Sequence, residues 1–215
     1  MNLLYILTFA PPILVLFYIV KSDKFPEPLQ CIMWAFFTGC FLCIPAGFLN
    51  NIFIPNMEYS FIAGLTEESL KFLAFMLLVS KKIQFNERMD ALVYGAAISI
   101  GFATYENYTY VFLLGYEDPL YIALLRIVSA IPMHAMCGII MGYYLGLHFY
   151  TKKNNMLLKA LFIPMLVHGI YNFSTGFGGL WYLFLFVIFF QIKKLHNEFI
   201  SDQLFKTSEY ERKTK

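Results

Sequence analysis

The sequence predicts an all-α polytopic membrane protein, a bundle of about seven transmembrane helices. Hydrophobic residues make up 59% of the chain and charged residues only 14%, against about 25% in ordinary soluble domains. Apolar segments of about 20 residues, long enough to cross the hydrocarbon core as helices, recur along the whole chain. A net charge of +2 without a basic patch argues against a nucleic-acid partner, so the lipid bilayer is the expected surrounding.

Seven apolar windows mark the expected spans. The first lacks the basic start and cleavage site of a signal peptide, so we expect it to be retained. The fifth is long enough to tilt or to extend beyond the bilayer. We expect residues 1–192 to form one transmembrane domain and residues 193–215 a short charged cytoplasmic tail in which His196 is solvated. The windows cover about residues 3–20, 29–49, 60–80, 90–114, 119–149, 156–174 and 177–192.

The charges in the connections orient the bundle. All but two of the 16 lysine and arginine residues follow the first, third, fifth or seventh span, whereas connections 50–59, 115–118 and 175–180 contain none. By the positive-inside rule the amino terminus is outside and the carboxyl terminus is cytoplasmic. The residues on the cytoplasmic connections are Lys21, Lys24, Lys81, Lys82, Arg88, Lys152, Lys153, Lys159, Lys193, Lys194, Lys206, Arg212, Lys213 and Lys215.

The two remaining cations lie inside spans, together with other polar residues. An ionisable side chain at mid-membrane costs about 2.5–3.5 kcal/mol and indicates a functional site. Several such charges are tolerated only if they contact each other or water. The intramembrane set is Glu67, Glu68, Lys71, Glu106, Asn107, Arg126, His134, His168 and Asn172.

These polar residues converge in depth. Counting from the outer end of each span, at about 1.5 Å per residue, places Glu67, Glu106, Arg126 and His168 at one level, roughly 10 Å below the outer face. His134 lies deeper by this count, unless the fifth span begins above the bilayer. The convergence predicts one shared site in the outer half of the membrane.

The spacing of the charges in the third span allows two interpretations. Lys71 is four residues after Glu67 and three after Glu68, so its ammonium can reach either carboxylate. Thr66 is an alternative N-cap, with both acids in the first helical turn and only a structural salt bridge. A helix starting there would be too short to cross the bilayer, and residues 61–63 supply the missing turns. We therefore expect an internal position.

The residue types favour hydrolysis by activated water. Carboxylates and imidazoles without a serine or cysteine beside a base indicate general acid–base chemistry. In such a site, His168 and Asn172 are candidates to stabilise an oxyanion. Alternatively, a divalent metal such as zinc is held by a His₂Glu set, with Glu68, Glu106, His134 and His168 as candidate ligands, although no HExxH motif is present.

The ordered motifs resemble those of the PrsW intramembrane proteases, over about residues 66–172. The resemblance rests on the combination, since each motif alone is short. The motifs are Glu67-Glu68-x-x-Lys71, Asp90-x-x-Val93-Tyr94-Gly95, Gly101-Phe102-Ala103, Phe102-x-x-x-Glu106 with Asn107, Arg126, Pro132-x-His134 and His168-Gly169-x-x-Asn172.

The resemblance implies a multi-pass protease of the bacterial plasma membrane. Such a protease makes the first, extracytoplasmic-side cut in a single-span anti-sigma factor, which begins the release of a sigma factor. The family is similar to the CAAX-protease superfamily, whose pattern is EExxxR, FxxxH and HxxxN/D. The chain departs from this pattern at Lys71 and Glu106. Either two glutamates share the activation of water, or His134 replaces the absent imidazole.

We therefore expect an intramembrane peptidase. Two alternatives of other classes are a proton-coupled seven-span transporter and a non-catalytic scaffold that binds a partner's transmembrane helix. The expected catalytic residues are Glu67, Glu68, Glu106, His134 and His168, supported by Lys71, Arg126 and Asn172.

Overall fold

The computed structural model describes residues 2–81, 87–178 and 180–213, with backbone alone at residue 180 and residues 204–213. Lys82 and Lys215 lie outside these ranges. The described residues form eight α-helices and no strand, which confirms the all-α class. The helices are α1 Asn2–Ser22, α2 Leu29–Phe53, α3 Ile62–Ala74, α4 Arg88–Tyr108, α5 Pro119–Val128, α6 Ala130–Thr151, α7 Asn154–Thr175 and α8 Leu180–Lys213.

Long apolar helices support the prediction of a membrane protein. Within the described ranges, α1, α2, α7 and the unit of α5 with α6 are each long and apolar enough to cross a bilayer. α3 and α4 are extended by π-helical turns at Phe75–Val79 and Thr109–Leu113, close to the ends of the predicted third and fourth spans. The count of seven spans and their orientation remain predictions.

The fifth predicted span is not one helix. Ser129 has φ −126° and ψ −80°, which ends α5 and separates it from α6. Its hydroxyl donates to the carbonyl of Leu125 at 2.7 Å. His134 therefore lies in the first turns of a new helix, so counting along one continuous span does not apply to it, and its depth remains a prediction.

The centre of the bundle is α4, which is buried along almost its whole length. It packs so closely against α2 that a Cβ added to Gly101 would lie only 1.9 Å from the carbonyl oxygen of Phe36. On another side it packs against α6. Small residues allow such close backbone contact, which drives helix association in membranes. α4 thereby links α2 and α6, which both contribute to the site.

The predicted tail continues the last helix and packs against the bundle. α8 passes through residue 192 without a break. Phe199 is buried against Tyr143, with ring centroids 4.6 Å apart, and Arg88 forms an ion pair with Asp202 at 2.7 Å. His196 is buried and lies 2.7 Å from the hydroxyl of Ser22, so the prediction that it is solvated is wrong. The domain boundary at residue 192 remains a prediction.

Candidate active site

The two adjacent glutamates lie in the interior of α3. The helix begins at Ile62, four residues before Thr66, whose hydroxyl oxygen lies 3.3 Å from the carbonyl oxygen of Ile62 and 3.2 Å from that of Ala63. The internal position is therefore confirmed, and the N-cap alternative for Thr66 is wrong. Glu67 and Glu68 are 3% and 0% exposed.

Lys71 pairs mainly with Glu68. Its ammonium lies 2.7 Å from Glu68 Oε1 but 4.0 Å from Glu67 Oε2, and it is fully buried 4.1 Å from the ring centroid of Phe102. Removing one partner of such a pair leaves an uncompensated buried charge, at a cost of about 3–5 kcal/mol. The sequence left the choice of partner open, and the structure assigns Lys71 to Glu68.

His168 contacts both glutamates through different nitrogens. Its Nδ1 lies 2.9 Å from Glu68 Oε1, and its Nε2 lies 3.8 Å from Glu67 Oε2. An ionised carboxylate only accepts hydrogen bonds, so Glu68 assigns the proton of His168 to Nδ1. The lone pair of Nε2 then faces Glu67.

Close packing of α3 on α7 makes this contact. A Cβ on Gly64 would lie 2.5 Å from the backbone nitrogen of Gly169. Because neither residue has a side chain, the two backbones approach closely one turn before Glu68 and next to His168. The close approach of Gly64 and Gly169 thus brings the Glu67-Glu68 motif of α3 next to the His168 motif of α7.

Glu106 is held by Arg126, as expected for charges buried at one depth. Arg126 Nη2 lies 2.5 Å from Glu106 Oε2, and its Nε donates to Asn107 Oδ1 at 2.6 Å. The guanidinium lies 4.2 Å from the ring centroid of Tyr110, which adds a cation–π contact. Arg126 is therefore fixed from three sides.

His134 links the two charged groups. Its Nε2 lies 2.9 Å from Glu106 Oε2, and its Nδ1 lies 3.1 Å from Lys71 Nζ. An ammonium only donates, so Nδ1 accepts from Lys71 and Nε2 donates to Glu106. The rings of His134 and His168 meet edge to face, with centroids 5.0 Å apart. The predicted ionisable residues therefore form one connected cluster.

Asn50 on α2 also contacts this cluster, although the sequence gave no reason to select it. Its Nδ2 donates to Glu67 Oε1 at 2.9 Å, and its Oδ1 accepts from the hydroxyl of Thr66 at 2.5 Å. Asn50 stands at the start of a polar connection, where an asparagine is ordinary, so only the packing of α2 on α3 reveals its role.

Asn172 lies at the edge of the cluster. Its amide donates to the carbonyl of Ser60 at 3.3 Å, and its side chain lines the same cavity as His168. The structure thus places Asn172 beside the predicted site. In the described part of the chain, its hydrogen bonds do not reach the glutamates.

A cavity of about 820 Å³ adjoins the cluster, a volume within the range of ligand sites. Glu67, Glu106, Arg126, His134 and His168 all line it. The cavity also reaches the three connections that contain no lysine or arginine. The residues that line it there include Asn51, Ile54, Met57, Tyr116 and Thr175.

The cluster also fits a catalytic metal. Glu67, His134 and His168 offer ligand atoms that all lie within 4.8 Å of one another, the His₂Glu set of zinc peptidases. Glu67 Oε2 is buried and has no hydrogen-bond partner among the described residues. His134 would exchange one of its two contacts for the metal. Glu68 and Glu106, which the sequence suggested as ligands, contact the two histidines and are placed to orient them.

Comparison with known proteins gives a consistent result. Residues 27–193 match the family described as PrsW family intramembrane metalloprotease. "Protease PrsW" of Oceanobacillus iheyensis is 37% identical over 174 residues, which are 76% of this chain and 79% of the relative. "Protease PrsW" of Bacillus subtilis is 35% identical over 193 residues, 84% of this chain and 87% of the relative.

A third relative, "Protease PrsW" of Clostridioides difficile, is 30% identical over 201 residues, 86% of this chain and 84% of the relative. No solved structure matches the chain. The matches support a protease over the transporter and scaffold alternatives. The chain belongs to the PrsW family of intramembrane metalloproteases.

Proposed function

We propose that this protein is a site-1 protease of the bacterial plasma membrane. It makes the first cut, on the extracytoplasmic side, in a single-span anti-sigma factor, and this cut leads to the release of a sigma factor. Membership of the PrsW family and the bacterial origin of the relatives support this proposal.

The observation that carries the chemistry is the different surroundings of two adjacent carboxylates. Glu68 is neutralised by Lys71 and accepts from His168, so it is committed to positioning. Glu67 lines the cavity, and its Oε2 is buried without a hydrogen-bond partner in the described part of the chain. Glu67 is therefore the proposed general base, because it lines the cavity and its Oε2 has no hydrogen bond among the described residues that would compete for a proton from water.

Several residues of the cluster and its edge have proposed parts in peptide hydrolysis. Glu67 takes a proton from the attacking water and returns it to the leaving amine as the C–N bond breaks. Glu106, fixed by Arg126, orients His134. Asn172 supplies an amide donor at the cavity wall for the oxyanion of the tetrahedral intermediate.

Glu67, His134 and His168 are the residues that would hold the metal of this family, and zinc is the metal that suits their donor set. When bound, the metal would supply Lewis acidity that makes water a nucleophile at neutral pH and polarises a carbonyl group, and Glu67 would then serve as a ligand instead of as the base. Glu68 would then fix the orientation of His168 through Nδ1, the usual role of a carboxylate beside a ligating imidazole.

The position of the cavity supports cleavage near the outer face. It extends to the connections without lysine or arginine, which the positive-inside rule places outside. A substrate helix entering from the membrane would meet Glu67 about two turns below that face. The scissile bond is therefore expected in the outer third of the substrate's span or just outside it.

The position of the cut tests this proposal. The protein is reconstituted into liposomes with a single-span anti-sigma factor, and mass spectrometry identifies the new termini. We expect one cut at the outer end of the substrate's span. A cut at the cytoplasmic end, or an intact substrate in the presence of protein that is folded by size-exclusion chromatography, would overturn the proposal.

A chelator in the same assay tests the metal. Treatment with 1,10-phenanthroline is expected to reduce cleavage at least tenfold, and added zinc is expected to restore it, because the His₂Glu set would lose its ion. The non-chelating 1,7-phenanthroline is the control. Full activity in the chelator would assign the reaction to the glutamates alone.

A further inference from the structure

A second group of buried carboxylates lies far from the active site. Asp23 follows α1, Glu87 is the N-cap of α4, and Asp90 lies in the first turn of α4. Glu106 is sixteen residues after Asp90, which places it roughly 24 Å away along the helix. The three acids are 6%, 8% and 0% exposed, and each offers an oxygen atom within 4.8 Å of the others.

Local hydrogen bonds account for part of this arrangement. Glu87 and Asp90 form a reciprocal capping box at the start of α4. Gln203 on α8 donates from Nε2 to Asp23 Oδ1 at 2.7 Å and to Glu87 Oε1 at 2.5 Å. The backbone N–H of Phe25 also donates to Asp23 Oδ1. The two donors to Asp23 are neutral, so they satisfy its Oδ1 without compensating its negative charge.

Asp23 has an oxygen that this network does not explain. Its Oδ2 is buried and has no hydrogen-bond partner in the described ranges, and Asp23 forms no ion pair there. A buried carboxylate without a counter-charge is costly, so such an oxygen points to a missing positive partner. The N-terminus of α4 supplies only about half a positive charge, which is less than the charge of the Asp23 carboxylate alone.

A fourth acid lies beside these three. Glu27 is 7% exposed, and its carboxyl lies close enough to interact with Asp23, Glu87 and Asp90. It accepts a hydrogen bond from the hydroxyl of Tyr94 at 2.5 Å. The carboxylates thus come from the α1–α2 connection and from the start of α4, and Gln203 joins α8 to both.

We propose that Asp23, Glu87 and Asp90 bind a hard divalent cation of the calcium class. The donors are all oxygen atoms, which Ca²⁺ prefers, whereas zinc and other softer metals prefer sites with nitrogen or sulfur. The ion would fasten the α1–α2 connection and α8 to the first turn of α4. It is a structural site, separate from the His-containing cluster at the other end of α4.

Terbium luminescence tests the site, because Tb³⁺ replaces Ca²⁺ at oxygen ligands and is sensitised by a nearby tyrosine. Tyr94, bonded to Glu27, is in position to sensitise the ion. The full-length protein in detergent is titrated with Tb³⁺ under tyrosine excitation. We expect a saturable signal of one ion per chain that excess Ca²⁺ displaces and equimolar Mg²⁺ does not.

Substitutions test whether the Tb³⁺ luminescence comes from this carboxylate site. Asp23→Asn is expected to weaken Tb³⁺ binding at least tenfold, since it removes the charge of the unpartnered carboxylate, and Glu87→Gln to weaken it similarly. Glu58→Gln, an exposed acid elsewhere, and Glu67→Gln in the active site are expected to bind like the wild type. Size-exclusion profiles check that each variant is folded. A wild-type protein without a saturable, Ca²⁺-displaceable signal, or a folded Asp23→Asn variant with wild-type affinity, would overturn the proposal.

Discussion

Glu67 and Glu68 are adjacent in the chain but have opposite surroundings. Glu68 has a lysine ammonium at 2.7 Å and an imidazole at 2.9 Å, whereas Glu67 keeps an oxygen without a hydrogen-bond partner in the described part. Helical spacing predicted that Lys71 reaches one of them, but both rotamers satisfied that spacing. The choice depends on His168, which is a hundred residues away in sequence and which only tertiary packing brings into contact.

Asn50 provides the sharpest prediction at this scale. Asn50→Ala removes the hydrogen bond to Glu67 Oε1, and a bond to a charged group contributes about 1.5–3 kcal/mol. We expect kcat to fall about 10- to 100-fold with KM nearly unchanged, because Glu67 would lose its orientation and not its charge. Steady-state cleavage of the reconstituted substrate measures both constants.

Asn51→Ala is the matched control for this prediction. Asn51 is the next residue along the chain, lines the same cavity and forms no side-chain hydrogen bond in the described ranges. It is expected to cleave like the wild type. Equal losses in both variants would indicate a general effect of this helix end and would refute the positioning role of Asn50.

Among the helices, the close contact of α3 with α7 brings the two motifs together. Apolar windows predicted the existence of these helices and most of their ends, because hydrophobic length is a local property of the sequence. They did not predict the break at Ser129, since residues 119–149 form one largely apolar window, although Pro132 in the first turn of α6 is typical of a helix start. That break precedes His134, which joins the cluster from the first turns of α6.

Gly64→Ala tests the role of the helix contact. The added Cβ would lie 2.5 Å from a backbone nitrogen of α7, so the helices must separate. Misplacement by about 1 Å can cost 10²-fold in rate, and we expect a loss of this order together with a lower unfolding temperature. The same assay measures the rate, and thermal unfolding in detergent measures the stability.

Gly47→Ala is the control in a neighbouring helix. A Cβ on Gly47 would meet nothing within 4 Å. Its activity and unfolding temperature are expected to stay at or slightly above the wild-type values, because alanine favours helix over glycine. Wild-type cleavage by Gly64→Ala would show that close packing of α3 on α7 is not needed for the site.

At the scale of the whole molecule, the distribution of lysine and arginine predicts which connections lie outside, and the cavity reaches those connections. Depth counting from the sequence predicted that polar groups of several spans meet at one level, and the structure joins them in one cluster. The pairings within the cluster were not predictable, because they depend on the rotation of each helix about its axis. Composition changes at residue 192 while α8 continues through it, and the domain boundary there remains a prediction.

Cysteine labelling tests the orientation. A cysteine in place of Glu58, on a connection without lysine or arginine, is expected to react with a membrane-impermeant maleimide in intact cells. A cysteine in place of Lys153 is expected to react only after permeabilisation, since the positive-inside rule places it in the cytoplasm. Both positions are exposed, and the wild-type chain gives the background from its own cysteines. The reverse pattern would place the cavity on the cytoplasmic side.

The cleavage rate of Glu67→Gln tests the central claim most directly. The variant keeps the size of the side chain but cannot accept a proton from water. With Glu58→Gln as the matched control, we expect Glu67→Gln to cleave the reconstituted substrate at least 100-fold more slowly and Glu58→Gln to cleave at the wild-type rate. Substrate co-purification would show that binding is retained. Cleavage by folded Glu67→Gln at the wild-type rate would contradict both proposed roles of Glu67, as the base and as a metal ligand.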